Sequence, residues 1–329
     1  MDKKVLVTGA GGFIGSHLAR GLYNQGCFVR VVDVKWDNYI QDQYNSEKLT
    51  LDLRDSKNCL KVTEGMDYVF NLAANMGGIG FITEVGADIM YDNVLINSHI
   101  MKACHENKVR RLFFSSSACI YPTYKQETPE VKPLKEDDAF PAGPDNFYGW
   151  EKLYTEIMME AFRKDYNLGI RIARFHNIYG PEGTYEGGRE KSPAAICRKV
   201  AKATDPGEIE IWGDGRQTRS YCYIDDCVRG IILLMESDYS KPLNIGSDRL
   251  VTIDQLADIV IKISGKKITK KYNINAPQGV RGRNADLTLV KKVLDWQPKV
   301  SLEKGIEKTY GWLEKVEIRK KVDNEDIYI

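Results

Sequence analysis

Three glycines spaced three residues apart near the N-terminus restrict the fold of this chain more than any other feature. Gly9, Gly12 and Gly15 lie between a β-branched run that ends at Thr8 and a helical pattern that starts at Phe13. Glycines at such a turn allow tight curvature, close approach of the backbone to a pyrophosphate, and close packing of the helix on the strand. The pattern therefore predicts a strand–turn–helix unit that binds a dinucleotide at the N-terminus of its helix.

The residues after the glycines complete a βαβ unit. Residues 28–32 have the pattern of a second strand, which ends at Asp33. A carboxylate at this point can accept hydrogen bonds from the adenosine ribose hydroxyls, and it favours NAD over NADP. An ordinary turn residue is the alternative interpretation of Asp33. We expect Phe13 and Ile14, at the start of the helix, to contact the cofactor together with the three glycines.

Strand-like and helical patterns alternate through the first half of the chain. Strand-like runs recur at residues 68–72, 111–115 and 169–174, and helical patterns lie between them at 94–106 and 150–164. This alternation predicts an α/β fold with a doubly wound parallel sheet of the Rossmann type.

The pattern becomes irregular in the second half, which predicts a smaller C-terminal α/β region for the substrate. We expect residues 1–176 to form an NAD-binding Rossmann domain, to which residues 217–247 return. Residues 177–216 and 248–329 are then the substrate-binding domain.

The charge balance and the cysteines argue against several classes of protein. The 47 Lys and Arg residues oppose 46 Asp and Glu residues, which does not suggest binding to nucleic acid or to a membrane surface. Seven cysteines without a CxxC pair, and no secretory segment before the first strand, favour reduced thiols in the cytoplasm. The four histidines show no metal-ligand spacing, and the apolar runs are far shorter than a membrane span. We expect no metal site.

A tyrosine and a lysine four residues apart are candidates for catalysis. Tyr148 and Lys152 would share one face of a helix. Lys152 can bond the nicotinamide ribose and lower the pKa of the phenol, so that Tyr148 can exchange a proton with a substrate hydroxyl. Ser117, the last of three serines at a predicted strand end, would bond the same hydroxyl, and a strand-end cap is its alternative role. With the glycine motif, these residues resemble the extended short-chain dehydrogenase/reductase superfamily across nearly the whole chain.

The residues after Ser117 distinguish the enzymes of that superfamily that catalyse different reactions. Its sugar 4,6-dehydratases carry an Asp-Glu pair there, whereas this chain has Ala118 and Cys119 and offers no carboxylic acid to protonate a leaving hydroxyl. A thiolate at Cys119 would lie beside the expected sugar site and could remove a carbon-bound proton. A small buried hydrophobe is the alternative for Cys119. Lys191 follows a glycine-rich loop, where a lysine is usually a solvated charge.

Six segments of the chain are similar to the GDP-mannose 3,5-epimerase family, and the match extends over almost the entire chain. These segments are residues 71–78, 116–122, 174–181, 187–195, 211–220 and 279–284. In that family the residues that match Cys119 and Lys191 form an acid/base pair. The resemblance implies that C4 of GDP-mannose is oxidised, that protons at C3 and C5 are exchanged, and that C4 is reduced again. It suggests Cys119 as the base and Lys191 as the acid, an order that the residues alone do not decide.

The resemblance also implies further contacts. Asp52 would approach the adenine edge, and helices near residues 90–107 and 147–163 would form a homodimer. Lys199 and Arg283 would suit a pyrophosphate, although a solvated charge is the alternative for each basic residue. The residues expected to contact the GDP-sugar are Gly77, Gly78, Ser117, Ala118, Cys119, Asn177, Glu190, Lys191, Lys199, Gln217 and Arg283.

Other functions stay open at this point. One is an epimerase or a C4 oxidase that acts on another nucleotide sugar, such as a GDP-heptose. Another is a single-centre epimerase, and Cys119 and Lys191 together argue against a plain 4-epimerase. A third is a non-catalytic NAD-binding regulator, although such proteins usually lose the pair that Tyr148 and Lys152 form here.

Overall fold

The computed structural model describes residues 3–36 and 42–325. The strands in this part of the chain are β1 Lys4–Thr8, β2 Phe28–Asp33, β3 Glu47–Thr50, β4 Tyr68–Asn71, β5 Arg111–Ser117, β6 Gly169–Phe175, β7 Ile178–Tyr179, β8 Gly207–Trp212, β9 Thr218–Ser220, β10 Cys222–Tyr223, β11 Pro242–Ile245, β12 Leu250–Thr252, β13 Ile268–Asn273 and β14 Gly282–Arg283. The α-helices are α1 Phe13–Asn24, α2 Ser56–Thr63, α3 Ile79–Glu84, α4 Gly86–Glu106, α5 Phe147–Tyr166, α6 Ser192–Lys202, α7 Ile224–Glu236, α8 Ile253–Ser264, α9 Thr288–Leu294 and α10 Leu302–Glu325.

A seven-stranded parallel sheet forms the larger layer. Its order is β11-β6-β5-β4-β1-β2-β3, and each neighbouring pair runs parallel. Successive side chains of a strand point to opposite faces, so both faces of this sheet need a cover. Helices α1 and α7 cover one face, through residues such as Leu18 and Leu234. Helices α2, α4 and α5 cover the other, through residues such as Val62, Met101 and Met159. The predicted doubly wound α/β fold is confirmed.

Helix α4 is longer than its sequence pattern predicts. The pattern indicated a helix over residues 94–106, whereas α4 starts at Gly86. The buried stripe of its first turns is Ile89, Asn93 and Asn97, all three fully buried. Because two of these three residues are polar, hydrophobic periodicity does not detect this part of the helix.

The chain leaves the large sheet after β6 and builds smaller sheets. Strand β8 pairs with β13, β7 pairs with β10, and a three-stranded sheet has the order β12-β9-β14. Helices α6, α8 and α10 pack on one another beside these strands. The chain returns through α7 to β11, which adds to the large sheet next to β6. The division into two domains with the bounds given above stays a prediction.

The carboxyl ends of the parallel strands meet at one edge of the large sheet, where open α/β sheets bind their ligands. Strands β1, β2 and β5 end there at Thr8, Asp33 and Ser117. Within the described residues, no helix has both the length and the apolar composition that crossing a membrane requires.

Candidate active site

The glycine turn after β1 has no room for side chains. Gly9 has a φ of +66°, and a Cβ there would lie 2.8 Å from the backbone that follows β4. A Cβ on Gly15 would lie 2.2 Å from the carbonyl oxygen of Gly9. Gly11, which is missing from the predicted set, is equally restricted, since its Cβ would lie 2.2 Å from the carbonyl oxygen of Lys35. The turn is therefore a cradle built from backbone.

The start of helix α1 and the end of β2 complete this cradle. No side chain caps α1 at Gly12, so an anion can satisfy the first-turn N–H groups, which include those of Phe13 and Ile14. The Asp33 carboxylate accepts hydrogen bonds from the N–H groups of Gly11, at 2.9 Å, and Val34, at 2.7 Å. These hydrogen bonds fix the Asp33 carboxylate, a hydrogen-bond acceptor, beside the glycine turn. The residues present thus fit the pyrophosphate and the ribose of a dinucleotide.

Asp52 lies close to the same edge of the sheet, but its carboxylate already binds a cationic side chain. The Arg54 guanidinium donates to both Asp52 carboxylate oxygens, to Oδ2 at 2.6 Å and to Oδ1 at 3.1 Å, and also to Asp92, at 3.0 Å. The hydrogen bond from Arg54 lowers the pKa of Asp52. An adenine amino group would share this carboxylate with Arg54.

Helix α5 brings Tyr148 to the end of β5. The Asn146 side chain caps the helix by accepting from the N–H of Gly149 at 2.9 Å. A Cβ on Gly149 would lie 2.2 Å from the carbonyl oxygen of Cys119, so glycine permits this close packing. Tyr148 is buried, and its phenol lies near the Ser117 side chain. Burial raises the pKa of Tyr148, nearby negative charge adds to the increase, and the Ser117 hydroxyl opposes it.

Lys152 lies one helical turn beyond Tyr148 and is fully buried. Its Nζ lies 4.6 Å from the centre of the Phe114 ring and 5.5 Å from that of Tyr148. Burial lowers the pKa of Lys152, and the Glu151 carboxylate, 4.0 Å away, is the largest opposing influence. A buried cation therefore lies beside the phenol.

Cys119 follows β5 and differs from the other cysteines. All seven lie in the described part of the chain, and Cys119 alone is partly exposed. Its Sγ lies 3.3 Å from Nη1 of Arg283. The Arg283 Nε donates to the side-chain oxygen of Gln126 at 2.6 Å, and its Nη2 is buried without a partner. The guanidinium predicted to face a pyrophosphate thus contacts the thiol, and both N–H groups of its Nη2 are unused.

Lys191 precedes helix α6, at the end of a loop in which Gly187 and Gly188 have φ values of +86° and +80°. Its side chain is exposed, although neighbouring protein groups remove part of the water around its ammonium group. The resulting desolvation lowers the pKa of Lys191, and the neighbouring Cys119 opposes this decrease. Lys191 and Cys119 are therefore close enough to interact electrostatically.

The segment with Gly77 and Gly78 holds the Lys191 loop in place. The Gly78 N–H donates to the carbonyl oxygen of Arg189 at 3.0 Å, and a Cβ on Gly78 would lie 2.4 Å from the carbonyl oxygen of Glu190. A Cβ on Gly77 would lie 2.9 Å from Phe81. In this structure these glycines pack against protein groups, a role that the sequence did not suggest.

Protein groups engage the remaining predicted contact residues. Lys199 donates to the Glu210 carbonyl oxygen at 2.7 Å, and Asn177, with a φ of +43°, donates to the Ser220 carbonyl oxygen at 2.9 Å. Gln217 donates to a backbone carbonyl group at 2.8 Å, and its side-chain oxygen is buried without a partner. Glu190 accepts from Arg198 at 2.7 Å, and its second oxygen also lacks a partner. Ala118 is buried in a small apolar cluster.

Arg219 is a candidate site residue that the sequence reasoning missed. In the parallel pair β9–β14, Arg219 is the register partner of Arg283, so both side chains point to the same side. Burial lowers the pKa of Arg219 to about 10, with a further decrease from the Arg283 charge, and Cys119 opposes it. Two neighbouring guanidinium groups would suit an anionic ligand, although Arg219 already donates to the carbonyl oxygens of Thr218 and Gln278, at 2.7 and 3.3 Å. An isolated arginine in a polar segment carries no periodic signal that could have identified it.

Comparison with known proteins adds to this geometry. Residues 5–246 match the model of the NAD dependent epimerase/dehydratase family. The chain is 48% identical over 326 residues to GDP-mannose 3,5-epimerase of Arabidopsis thaliana, which covers 98% of this chain and 85% of that protein. It is 46% identical over 325 residues to GDP-mannose 3,5-epimerase 1 of Oryza sativa subsp. japonica, with the same coverage of both chains.

Two solved structures have the same fold over most of this chain. UDP-glucose 4-epimerase of Thermotoga maritima with UDP-glucose gives a TM-score of 0.86 at 29% identity, over 95% of this chain and 99% of that one. UDP-glucuronic acid 4-epimerase of Bacillus cereus with UDP-glucuronic acid and NAD gives 0.81 at 26% identity, with the same coverage. With the family model matched over most of its length, the chain belongs to the NAD dependent epimerase/dehydratase family.

Proposed function

We propose that this protein is an NAD-dependent nucleotide-sugar epimerase that inverts C3 and C5 of GDP-mannose. The observation that carries the proposal is the position of Cys119, a partly exposed thiol near Tyr148, Lys152 and Lys191, with the Arg283 guanidinium 3.3 Å from its sulfur. Tyr148 and Lys152 suit the step that forms a ketone. Cys119 and Lys191, next to them, suit the removal and return of the protons on the carbons beside that ketone. The identity to GDP-mannose 3,5-epimerases supports this sugar and nucleotide.

The glycine cradle would hold NAD. Gly9, Gly12 and Gly15, with the N–H groups of Phe13 and Ile14, would bind the pyrophosphate, while Asp33 would bind the adenosine ribose and Asp52 the adenine edge. When bound, NAD supplies reversible oxidation at C4 of the sugar and is regenerated within one turnover.

Tyr148 would exchange a proton with the C4 hydroxyl, which Ser117 would also bond. The pKa of this buried phenol is raised in the protein alone, so a neighbouring cation is needed for it to accept a proton near neutral pH. Lys152 is the cation placed to do this, and it would also bond the nicotinamide ribose.

Cys119 and Lys191 would exchange the ring protons. A C4 ketone makes the protons at C3 and C5 acidic, because the enolate that forms is stabilised by the carbonyl group. Cys119, with the Arg283 guanidinium 3.3 Å from its sulfur, suits the role of base. Lys191, whose pKa desolvation lowers, suits the acid that returns a proton to the other face.

The anionic half of the substrate would bind the arginines and the neighbouring polar groups. Arg219 and Arg283 would take the diphosphate, for which the unpartnered Nη2 of Arg283 is available. In this proposal, residues 177–216 and 248–329 form the nucleotide-sugar-binding domain and the rest of the chain binds NAD. The remaining substrate contacts would come from Gly77, Gly78, Ala118, Asn177, Glu190, Lys199 and Gln217.

We also propose a homodimer in the cytoplasm. Helices α4 and α5 pack together and leave large apolar side chains exposed, and these are Tyr91, Phe147, Trp150, Tyr154 and Ile157. A second copy of the same face would cover them. Unpaired cysteines agree with a reducing compartment.

Proton NMR of GDP-mannose incubated with the protein in D2O tests the function. Deuterium at C3 and C5, with new galactose- or gulose-configured signals, is expected for the wild type. Cys119→Ala should lose the exchange and Lys191→Met should lose the new sugar signals, whereas the control Cys104→Ala, at a buried cysteine, should keep both. No exchange and no new sugar, with NAD bound, would refute GDP-mannose as substrate and direct the assay to other nucleotide sugars. Accumulation of NADH with a keto sugar would indicate a C4 oxidase instead.

A further inference from the structure

Glu151 lies between Tyr148 and Lys152 in the sequence and carries a buried carboxylate, for which the proposed reaction has no role. The residue is fully buried, at 0% exposure. Glutamate is almost never fully buried without a partner, because removing its charge from water is costly. What holds this carboxylate therefore needs a physical explanation.

A directed chain of hydrogen bonds ends on one oxygen of Glu151. The hydroxyl oxygen of Thr8 accepts from two backbone N–H groups, those of residues 72 and 73, so its own hydrogen is left to donate to Asn71 Oδ1, at 2.8 Å. This fixes the orientation of the Asn71 amide, whose Nδ2 donates to Asn97 Oδ1 at 2.8 Å. Asn97 Nδ2 must then donate in turn, and it reaches Oε1 of Glu151 at 2.7 Å.

A second set of donors has a direction that is fixed in the same way. The backbone N–H of Asn75 donates to Asn93 Oδ1 at 2.6 Å, so the Asn93 amide turns its Nδ2 toward Oε2 of Glu151, at 3.3 Å. The Thr155 hydroxyl donates to Oε1 at 2.9 Å. Every one of these neutral partners is a donor, and this is the environment of an ionised carboxylate, which only accepts.

The Lys152 ammonium also lies near Glu151. Its Nζ is 4.0 Å from Oε2 of Glu151, which is longer than a hydrogen bond. Glu156 also acts on this ammonium, but the Arg174 guanidinium binds its carboxylate at 2.7 and 3.0 Å. Glu151 is thus the nearby carboxylate without an arginine on it.

Among the residues that the structure describes, few other groups face Lys152. From α5 these are the Tyr148 phenol and Glu156, and from the turn after β5 the Cys119 thiol. Strand β5 presents the uncharged ring of Phe114. Helix α4 presents the neutral amides of Asn93 and Asn97 to Glu151.

We propose that Glu151 is a positioning residue of the active site, whose carboxylate, ionised and fixed by the α4 asparagines, keeps the Lys152 ammonium charged beside Tyr148. The effect of Glu151 on catalysis rests on the proposed function, whereas its effect on the charge of Lys152 does not. Burial alone drives Lys152 toward the neutral form, which cannot stabilise a phenolate. The same negative charge raises the pKa of both Lys152 and Tyr148.

Glu151→Gln gives the sharpest test, because glutamine keeps the size and removes the charge. The titration midpoint of Lys152, followed by NMR of 15N-lysine-labelled protein and assigned with Lys152→Met, should fall by about one to three pH units. This measurement needs no substrate, so it is informative even if the protein does not act on GDP-mannose. Where turnover is observed, both limbs of its pH profile should move to lower pH.

Two control variants separate charge from structure. Glu151→Asp keeps the charge and should return the Lys152 midpoint toward the wild-type value. Thr155→Val removes a hydrogen bond to the same carboxylate and should lower the melting temperature while the Lys152 midpoint stays in place. An unchanged Lys152 midpoint in Glu151→Gln, with a melting temperature lowered as in Thr155→Val, would overturn the proposal.

A measurement on the wild-type protein covers the case in which Glu151→Gln does not fold. The 13Cδ chemical shift of Glu151 reports its protonation state directly. An ionised carboxylate at neutral pH is expected, and a protonated one would refute the role of Glu151 as the counter-charge of Lys152.

Discussion

Replacing Arg283 by methionine should slow the reaction of Cys119 with an alkylating reagent. Methionine fills similar space but removes the charge that lies 3.3 Å from the sulfur. Two unit charges at this distance interact by about 5 kcal/mol at an effective dielectric constant of about 20. Cys119 is partly exposed, so water and ions screen much of this interaction energy. We take about 1.4 kcal/mol as a conservative value for the energy that remains. Because the thiolate is the reactive form, that energy corresponds to an alkylation rate about tenfold lower near neutral pH.

The assay is alkylation by iodoacetamide, followed by the mass of the intact protein. The other six cysteines are buried, so one equivalent should add quickly and its rate should report on Cys119. Arg281→Met is the matched control, because Arg281 is two residues away but its guanidinium binds Asp214, at 2.9 and 3.0 Å. Arg283→Lys should recover part of the rate. A wild-type rate in a folded Arg283→Met protein would show that the guanidinium does not act on the sulfur, and would refute this reasoning.

Three further predictions follow from the same contacts. Gly15→Ala should abolish binding of NAD measured by calorimetry, because its Cβ would lie 2.2 Å from a carbonyl oxygen, whereas Gly311→Ala, with open space in α10, should bind normally. Glu156→Gln should cost about 3–5 kcal/mol in urea unfolding, since it removes the carboxylate charge from Arg174, whose guanidinium is buried. Burial lowers the pKa of His17 to about 4, so only the unfolded state takes up its proton between pH 6.5 and 4. Stability should therefore fall by about 3 kcal/mol across this window, and His17→Gln should remove that part of the fall.

The sequence predicted those parts of the site that follow from backbone geometry. The glycine turn is recognisable because φ and close packing restrict it to glycine, and the bounds of β1 and α1 follow from the same pattern. Tyr148 and Lys152 were identifiable because a fixed spacing on a helix determines that they share a face. The structure places both of these side chains in the interior, beside Ser117.

Buried polar residues outside a recognised motif are what the sequence could not predict. Asn93 and Asn97 lie on the buried side of α4, where their polarity concealed the first turns of the helix. Arg219 becomes a candidate site residue only through its register with Arg283, 64 positions later in the chain. Long-range pairing of this kind depends on the tertiary fold, and no local pattern around either arginine encodes it.

The buried polar residues also connect the two halves of the proposed chemistry. Thr8 is the last residue of β1, directly before the glycine turn, and Glu151 is next to Lys152 on α5. Asn71 and Asn97 connect Thr8 to Glu151 through hydrogen bonds. The direction of each of these bonds is fixed because the Thr8 hydroxyl oxygen accepts from two backbone N–H groups. A displacement of the turn would therefore disturb the donors that hold the carboxylate next to the lysine. A hydrophobic contact between β1 and α5 would give similar packing without direction, so the polar chain adds a fixed orientation of charge that apolar side chains cannot provide.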